Sequence, residues 1–260
     1  MTPFFYTRLS SFYFFYYFFV GLFVPYWGIY LKSLSFNALQ IGALLSLFQI
    51  SRIFAPNVLG WVADQSGEYI KWIKVSSFFG FIIFMGIFWS NTFINIFIVM
   101  MAMSIFTSST LPLAESLTLS HLKANKADSK YSHIRLWGSI GFIVAALLLG
   151  VMIDSYGERS LIYALLITQF VIFLLAFVLP PKKVIFTKNI KRSIWPILKQ
   201  REVIVLLLSC ALMVSSHGLL YNFYSIFLEE QGYSGVSIGL LWSVGVVFEI
   251  LIFLLMPKIL

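Results

Sequence analysis

Eight runs of nearly unbroken apolar residues alternate along this chain with short polar or Gly/Pro-marked turns. They cover about 10–31, 39–63, 75–89, 93–119, 133–153, 161–179, 203–228 and 236–256. An α-helix needs roughly twenty residues to cross a hydrocarbon layer of about 30 Å, so each run predicts one membrane-spanning helix. Turn signals such as those at 64–71 and 154–159 separate the spans. The first run is too long for a cleaved signal, lacks a small-residue cleavage site and is followed by more spans. The pattern predicts an all-α membrane protein.

Composition removes the soluble alternatives. Of the 260 residues, 60% are hydrophobic and 11% charged, against roughly half and a quarter in soluble domains. A net charge of +8 in a soluble protein would suggest nucleic acid. Here the basic residues sit between apolar runs, where they set topology, and no nucleic-acid partner is expected. One set of loops holds Arg8, Lys71, Lys74, Lys123, Lys130, Lys199 and others, whereas the opposite side holds only Lys32 and Arg159. That asymmetry predicts a cytoplasmic amino terminus in a multi-pass protein, with the bilayer as its surroundings. The single cysteine, Cys210, allows no internal disulfide and no metal site, and no cofactor is expected.

The chain also repeats. Slid by 197 positions (218 − 21), Gly21-Leu22 falls on Gly218-Leu219 and Ile41-Gly42 on Ile238-Gly239. Ser46 then falls on Ser243 and Arg52 on Glu249. A period of six helices plus a basic linker implies two parallel six-helix repeats. The expected organisation is a six-helix bundle at 1–180, a basic cytoplasmic linker at 181–202, and the first two helices of a second bundle at 203–260. Twelve helices would complete that scheme, so eight make an incomplete bundle. The alternatives are a separately encoded carboxy-terminal remainder, a shortened reading frame or a cut piece.

Charges inside spans are costly, so they usually face a bundle interior and mark a substrate or ion path. Arg52, Glu115, Arg135 and Glu249 are the candidates. Arg52 and Glu249 each lie about thirteen residues into a span, at matching repeat positions with opposite sign. The competing reading is a buried ion pair that only fixes packing. Glu115 and Arg135 lie across a basic loop in the stretch 111–142, where interfacial snorkelling is the alternative. Pro112 would disturb the fourth helix beside Glu115. A carboxylate in a low-dielectric cavity holds its proton more tightly, as a proton carrier must, while an arginine stays charged and suits an anion. His217 is a candidate proton relay, with His133 a lesser one, and Asn222 a hydrogen-bonding contact. The many aromatics, Trp137 and Trp242 included, are read mainly as lipid-facing bulk and interfacial belt, a few lining the cavity. Gly60, Asp64 and Gly67 outline a tight loop whose aspartate can cap the next helix. There is no HExxH and no pair of membrane-depth aspartates, so an enzyme is not expected.

At these residues the chain resembles the major facilitator superfamily, whose signature after the second helix is G-x-x-x-D-x-x-G followed by basic residues. Gly60, Asp64 and Gly67 match; Glu68 stands where the family usually has arginine. Pro112-Leu-Ala-Glu115, Arg135-Leu-Trp-Gly-Ser139, Gly232-Tyr233 and Leu241-Trp-Ser243 with Glu249 resemble the branch containing the 3-phenylpropionate transporter and, more distantly, the lactose permease. The resemblance implies that Glu115 and Arg135 hold substrate and that Glu249 links binding to proton movement. It makes 60–67 a conformational-switch loop. Phe142 stands where sugar permeases carry a stacking tryptophan, which weakens a sugar assignment.

The resulting expectation is a proton-coupled secondary transporter of the bacterial inner membrane, driven by the proton gradient and moving a small organic solute by alternating access. The preferred substrate is an aromatic carboxylate such as 3-phenylpropionate. Substrate contacts would be Glu115, Arg135, Arg52, Phe142 and Asn222; proton coupling would use Glu249, Glu115 and His217. Alternatives are a sugar or nucleoside symporter, or a truncated non-transporting membrane fragment.

Overall fold

The computed structural model describes residues 3–125, 127, 130–180 and 195–259. Its long helices are α1 (Pro3–Ser33), α2 (Ala38–Ser66), α3 (Tyr69–Met85), α4 (Phe93–Ala124), α5 (Tyr131–Tyr156) and α6 (Ser160–Val178). A single turn, α7 (Trp195–Leu198), precedes α8 (Arg201–Glu230) and α9 (Gly235–Ile259). Among the described residues, eight helices are long and apolar enough to cross a membrane, matching the eight apolar runs. In lipid no water is available for backbone groups, so segments this apolar close their hydrogen bonds within the helix. Most of the linker read at 181–202 lies outside the described residues.

The helices outrun the apolar runs. α1 begins at Pro3 rather than near residue 10, and α3 at Tyr69 rather than near 75. Hydropathy marks only the part within hydrocarbon, while polar helix ends continue into the headgroup zone. Pro112 does not break α4, which runs on to Ala124. Tyr16 donates to the Thr107 carbonyl (3.3 Å), and Ser109 and Thr110 donate to the carbonyls of Ile105 and Phe106. Neighbouring hydroxyls thus hold polar backbone atoms around the proline.

The signature loop needs correction. α2 continues through Ser66, so Gly60 and Asp64 are helical and only Gly67 makes the turn, with φ +67°. Glycine is suited to that left-handed conformation because it has no Cβ to clash. Asp64 does not cap α3; its carboxylate accepts from the Tyr69 hydroxyl, and the N-cap position belongs to Glu68 without a side-chain bond. Glu68 instead pairs with Lys71 at 3.2 Å.

α1 is the hub, packing on α5, α6 and α8, while α2 and α3 pack on α4 and α5 on α9. Phe12, Tyr13, Tyr16, Phe19, Tyr26 and Trp27 are all buried. The aromatic cluster at the start of the chain is therefore core, against the reading of lipid-facing bulk. The α1–α5 crossing is close enough to require glycine. A Cβ on Gly141 would lie 2.2 Å from the Phe14 carbonyl oxygen, and one on Gly21 would lie 2.5 Å from that of Phe142. Small residues at such crossings bring helix backbones together where lipid offers no hydrophobic drive.

Candidate functional site

A cavity of about 840 Å³ lies between α1, α2 and α5 on one side and α8 and α9 on the other. Six sequence-predicted site residues line it: Arg52, Arg135, Phe142, His217, Asn222 and Glu249. They come from four helices widely separated in the chain, so their convergence is a product of the fold.

Arg135 rests its guanidinium 3.9 Å from the centroid of the Tyr17 ring. That face-on contact suits a weakly hydrated planar cation. Gly138, one helical turn on, makes room for it: a Cβ there would lie 2.5 Å from Tyr17 Cδ2. The glycine of the RLWGS run thus has a local reason. Arg52 sits over the Phe48 ring at 5.4 Å. Among the described residues neither arginine has a carboxylate within ion-pair distance. Both stay available to an anion.

Glu115 stands apart. It does not line the cavity; it is half-buried behind it and accepts a 3.4 Å hydrogen bond from the Tyr131 hydroxyl. Arg135 is its electrostatic neighbour, but no ion pair joins them. α4 packs mainly on α2 and α3, with little of α5, which keeps the carboxylate one layer back.

His217 Nδ1 lies 2.8 Å from the Met213 carbonyl, and a carbonyl can only accept, so Nδ1 carries the hydrogen. His217 stacks on Tyr221 (6.0 Å), which stacks on Trp242 (5.8 Å); Trp242 also faces Phe142 at 6.4 Å. Trp242 Nε1 donates to Ser225 Oγ at 2.8 Å, fixing the indole. Trp242 is buried and lines the cavity, which makes it one of the few aromatics expected there rather than a belt residue. Tyr17 is another of the few aromatics expected to line the cavity, whereas sequence reasoning missed Ser139 and Tyr224, although Ser139 belongs to the RLWGS run. His133 lies outside the cavity; its carbonyl accepts from Tyr6 at 3.3 Å.

The two sides of the cavity are joined at one end. Lys32 at the end of α1 pairs with Glu229 (2.8 Å) and Glu230 (3.2 Å) at the end of α8. Tyr26 donates to the carbonyls of Ala146 and Gly235. Asp154 near the end of α5 accepts from the Gly235 and Val236 amides (2.6 and 3.0 Å), capping α9 from another helix. The cavity residues lie six or more positions from the helix ends at this side on α1, α2, α8 and α9, and further still on α5.

The partly exposed lysine pair is worth about 0–1 kcal/mol, whereas a helix cap contributes about 0.5–2 kcal/mol. Asp154→Ala is therefore expected to loosen this end more than Lys32→Ala does. A cysteine at buried Ile238, in a Cys210→Ser background, should react with a maleimide roughly 2- to 30-fold faster once Asp154 is removed. Unchanged labelling would contradict a joining role for Asp154.

Fold and cavity define a multi-pass integral membrane protein with a polar and aromatic chamber between two helix groups. The chain belongs to the MFS_1 like family, whose model matches residues 6–260. It is 29% identical over 255 residues to the probable 3-phenylpropionic acid transporter of Escherichia coli (strain K12), covering 95% of this chain and 65% of that protein. It is 24% identical over 247 residues to the uncharacterized transporter YwbF of Bacillus subtilis (strain 168), covering 94% and 61%. The crystal structure of the nucleoside transporter NupG matches with a TM-score of 0.82 at 20% identity, covering 99% of this chain and 68% of that one, a likeness of fold. The chain thus spans less than two thirds of the length of both curated relatives. Its family is not one of enzymes.

Proposed function

We propose that this chain belongs to a proton-coupled secondary transporter that moves a small aromatic carboxylate by alternating access. The observation that carries the reading is the cavity itself, lined both by two arginines that have no carboxylate partner among the described residues and by the Phe142–Trp242–Tyr221 rings. An anionic head would meet Arg135 and Arg52, and a flat apolar body would lie along the rings. The volume falls within the roughly 300–1,000 Å³ common for small-molecule sites. The likeness to a probable 3-phenylpropionic acid transporter supports the same substrate class.

Glu249 is the proposed proton carrier, since it faces the cavity without a cationic partner within 4 Å among the described residues. Glu115, one layer behind Arg135, is proposed to tune that arginine rather than touch substrate. With the amino terminus in the cytoplasm of a bacterial inner membrane, the joined end faces outward. The two halves would rock about the central site, and 60–67 would move with them.

Gln49, Ser139 and Asn222 also line the cavity and favour a sugar or nucleoside as the second reading. Uptake of labelled 3-phenylpropionate by cells expressing the chain should exceed that of a galactoside or nucleoside and should collapse with a protonophore. Glu249→Gln should retain binding yet lose at least about tenfold in accumulation. Preference for the neutral solutes, or uptake indifferent to the protonophore, would overturn the proposal.

A further inference from the structure

A second, much smaller cavity sits inside the first six helices, away from the chamber. It is lined by residues of α1, α3, α4 and α6, with Gly80 on its wall, and its volume of about 10 Å³ is close to that of one water-sized sphere.

Its polar groups divide into two sets. Ser77 donates to the Ile73 carbonyl, Thr110 to that of Phe106, and Tyr16 to that of Thr107. The side-chain oxygens Ser76 Oγ, Thr107 Oγ1 and Gln169 Oε1 have no hydrogen-bond partner from the protein. All three residues are more than nine-tenths buried, at 0%, 7% and 4% exposure. Three uncompensated polar groups in a membrane bundle would each cost free energy, which is why buried polar groups in native proteins are almost always partnered.

We infer that this cavity is a binding site for one structural water molecule, held by Ser76, Thr107 and Gln169. The stoichiometry of donors and acceptors fits. Gln169 Oε1 only accepts, while each hydroxyl can donate or accept, so one water makes three bonds, the usual number for a buried water. Gly80 keeps the space open, since a Cβ there would stand 3.0 Å from Thr107 Oγ1 and 3.9 Å from Gln169 Oε1. A monovalent cation is disfavoured because no carboxylate among the described residues lines the cavity and an uncompensated buried charge is far costlier than a neutral molecule. The site neighbours the chamber through one side chain. Tyr16, on its wall, also interacts with Arg52, so the water would help hold the tyrosine against which that arginine is set.

An experimental structure of the chain at about 2 Å should show one density peak within hydrogen-bonding distance of all three oxygens, and Gly80→Ala should remove it. Thermal unfolding gives an independent reading. Ser76→Ala, Thr107→Val and Gln169→Leu singly should each lower the midpoint by a few degrees, because each leaves the buried water one bond short. The triple variant should lose less than the sum. The midpoint should be the same in sodium, potassium and choline chloride. Absent density, strictly additive losses, or a sodium-specific rise in the midpoint would each overturn the assignment, the last in favour of a cation.

Discussion

Replacing Arg135 with glutamine is expected to weaken binding of an anionic aromatic solute by roughly 30- to 1,000-fold, equivalent to about 2–4 kcal/mol. The guanidinium lines the chamber, lies flat on Tyr17 and has no competing carboxylate within 4 Å among the described residues. Glutamine removes the charge while keeping a similar length. Lysine at the same position restores the charge but not the planar fork or the ring contact, so an intermediate loss is expected. Equilibrium binding of labelled 3-phenylpropionate to the purified chain checks both substitutions. An unchanged unfolding midpoint would separate a lost contact from a damaged fold. Binding of a neutral nucleoside, if any, should be indifferent to the change.

The largest effect on stability is expected at Gly141. An alanine methyl there would lie 2.2 Å from the Phe14 carbonyl oxygen and 3.0 Å from its carbon. Backbone cannot rotate aside as a side chain can, so α1 and α5 would have to separate along the seam that holds Arg135, Tyr17 and Phe142. Overpacking of a tight contact costs about 1–3 kcal/mol and sometimes more. At about 2–4 °C per kcal/mol for a chain of this size, the midpoint should fall by up to about 10 °C. Gly60→Ala is the informative contrast. Nothing lies within 4 Å of a Cβ at Gly60, and alanine favours the helix it occupies by up to about 1 kcal/mol. That variant should unfold at the same temperature or higher, despite occupying a signature position. Thermal melts of the two purified variants make the comparison.

The number and order of spans were legible from the sequence because a twenty-residue apolar run has few other uses. The ionisable residues inside spans were legible for the same reason, and Arg52, Arg135 and Glu249 do reach one chamber. Less readable was depth within the bundle. Glu115 and Arg135 look equivalent along the chain, yet only Arg135 lines the chamber, because which face of α4 meets α5 depends on how the whole bundle packs. Trp242 was ambiguous for a related reason: an indole in a span resembles a belt residue until its Nε1–H finds Ser225 one helix away. Asp154 reads as a turn residue, and nothing local reveals that its carboxylate caps α9 more than eighty positions later. The signature loop was over-read, since Gly60 and Asp64 suggested a turn that a continuous α2 does not make.

The central claim is that the chamber recognises the negative charge of an aromatic acid through its arginines. Equilibrium binding to the purified chain of 3-phenylpropionate and of its uncharged amide, two solutes of nearly the same shape, tests it most directly. The acid is expected to bind at least about tenfold more tightly than the amide, with that preference lost in Arg135→Gln. Equal binding of acid and amide, or a preference for the amide, would contradict it.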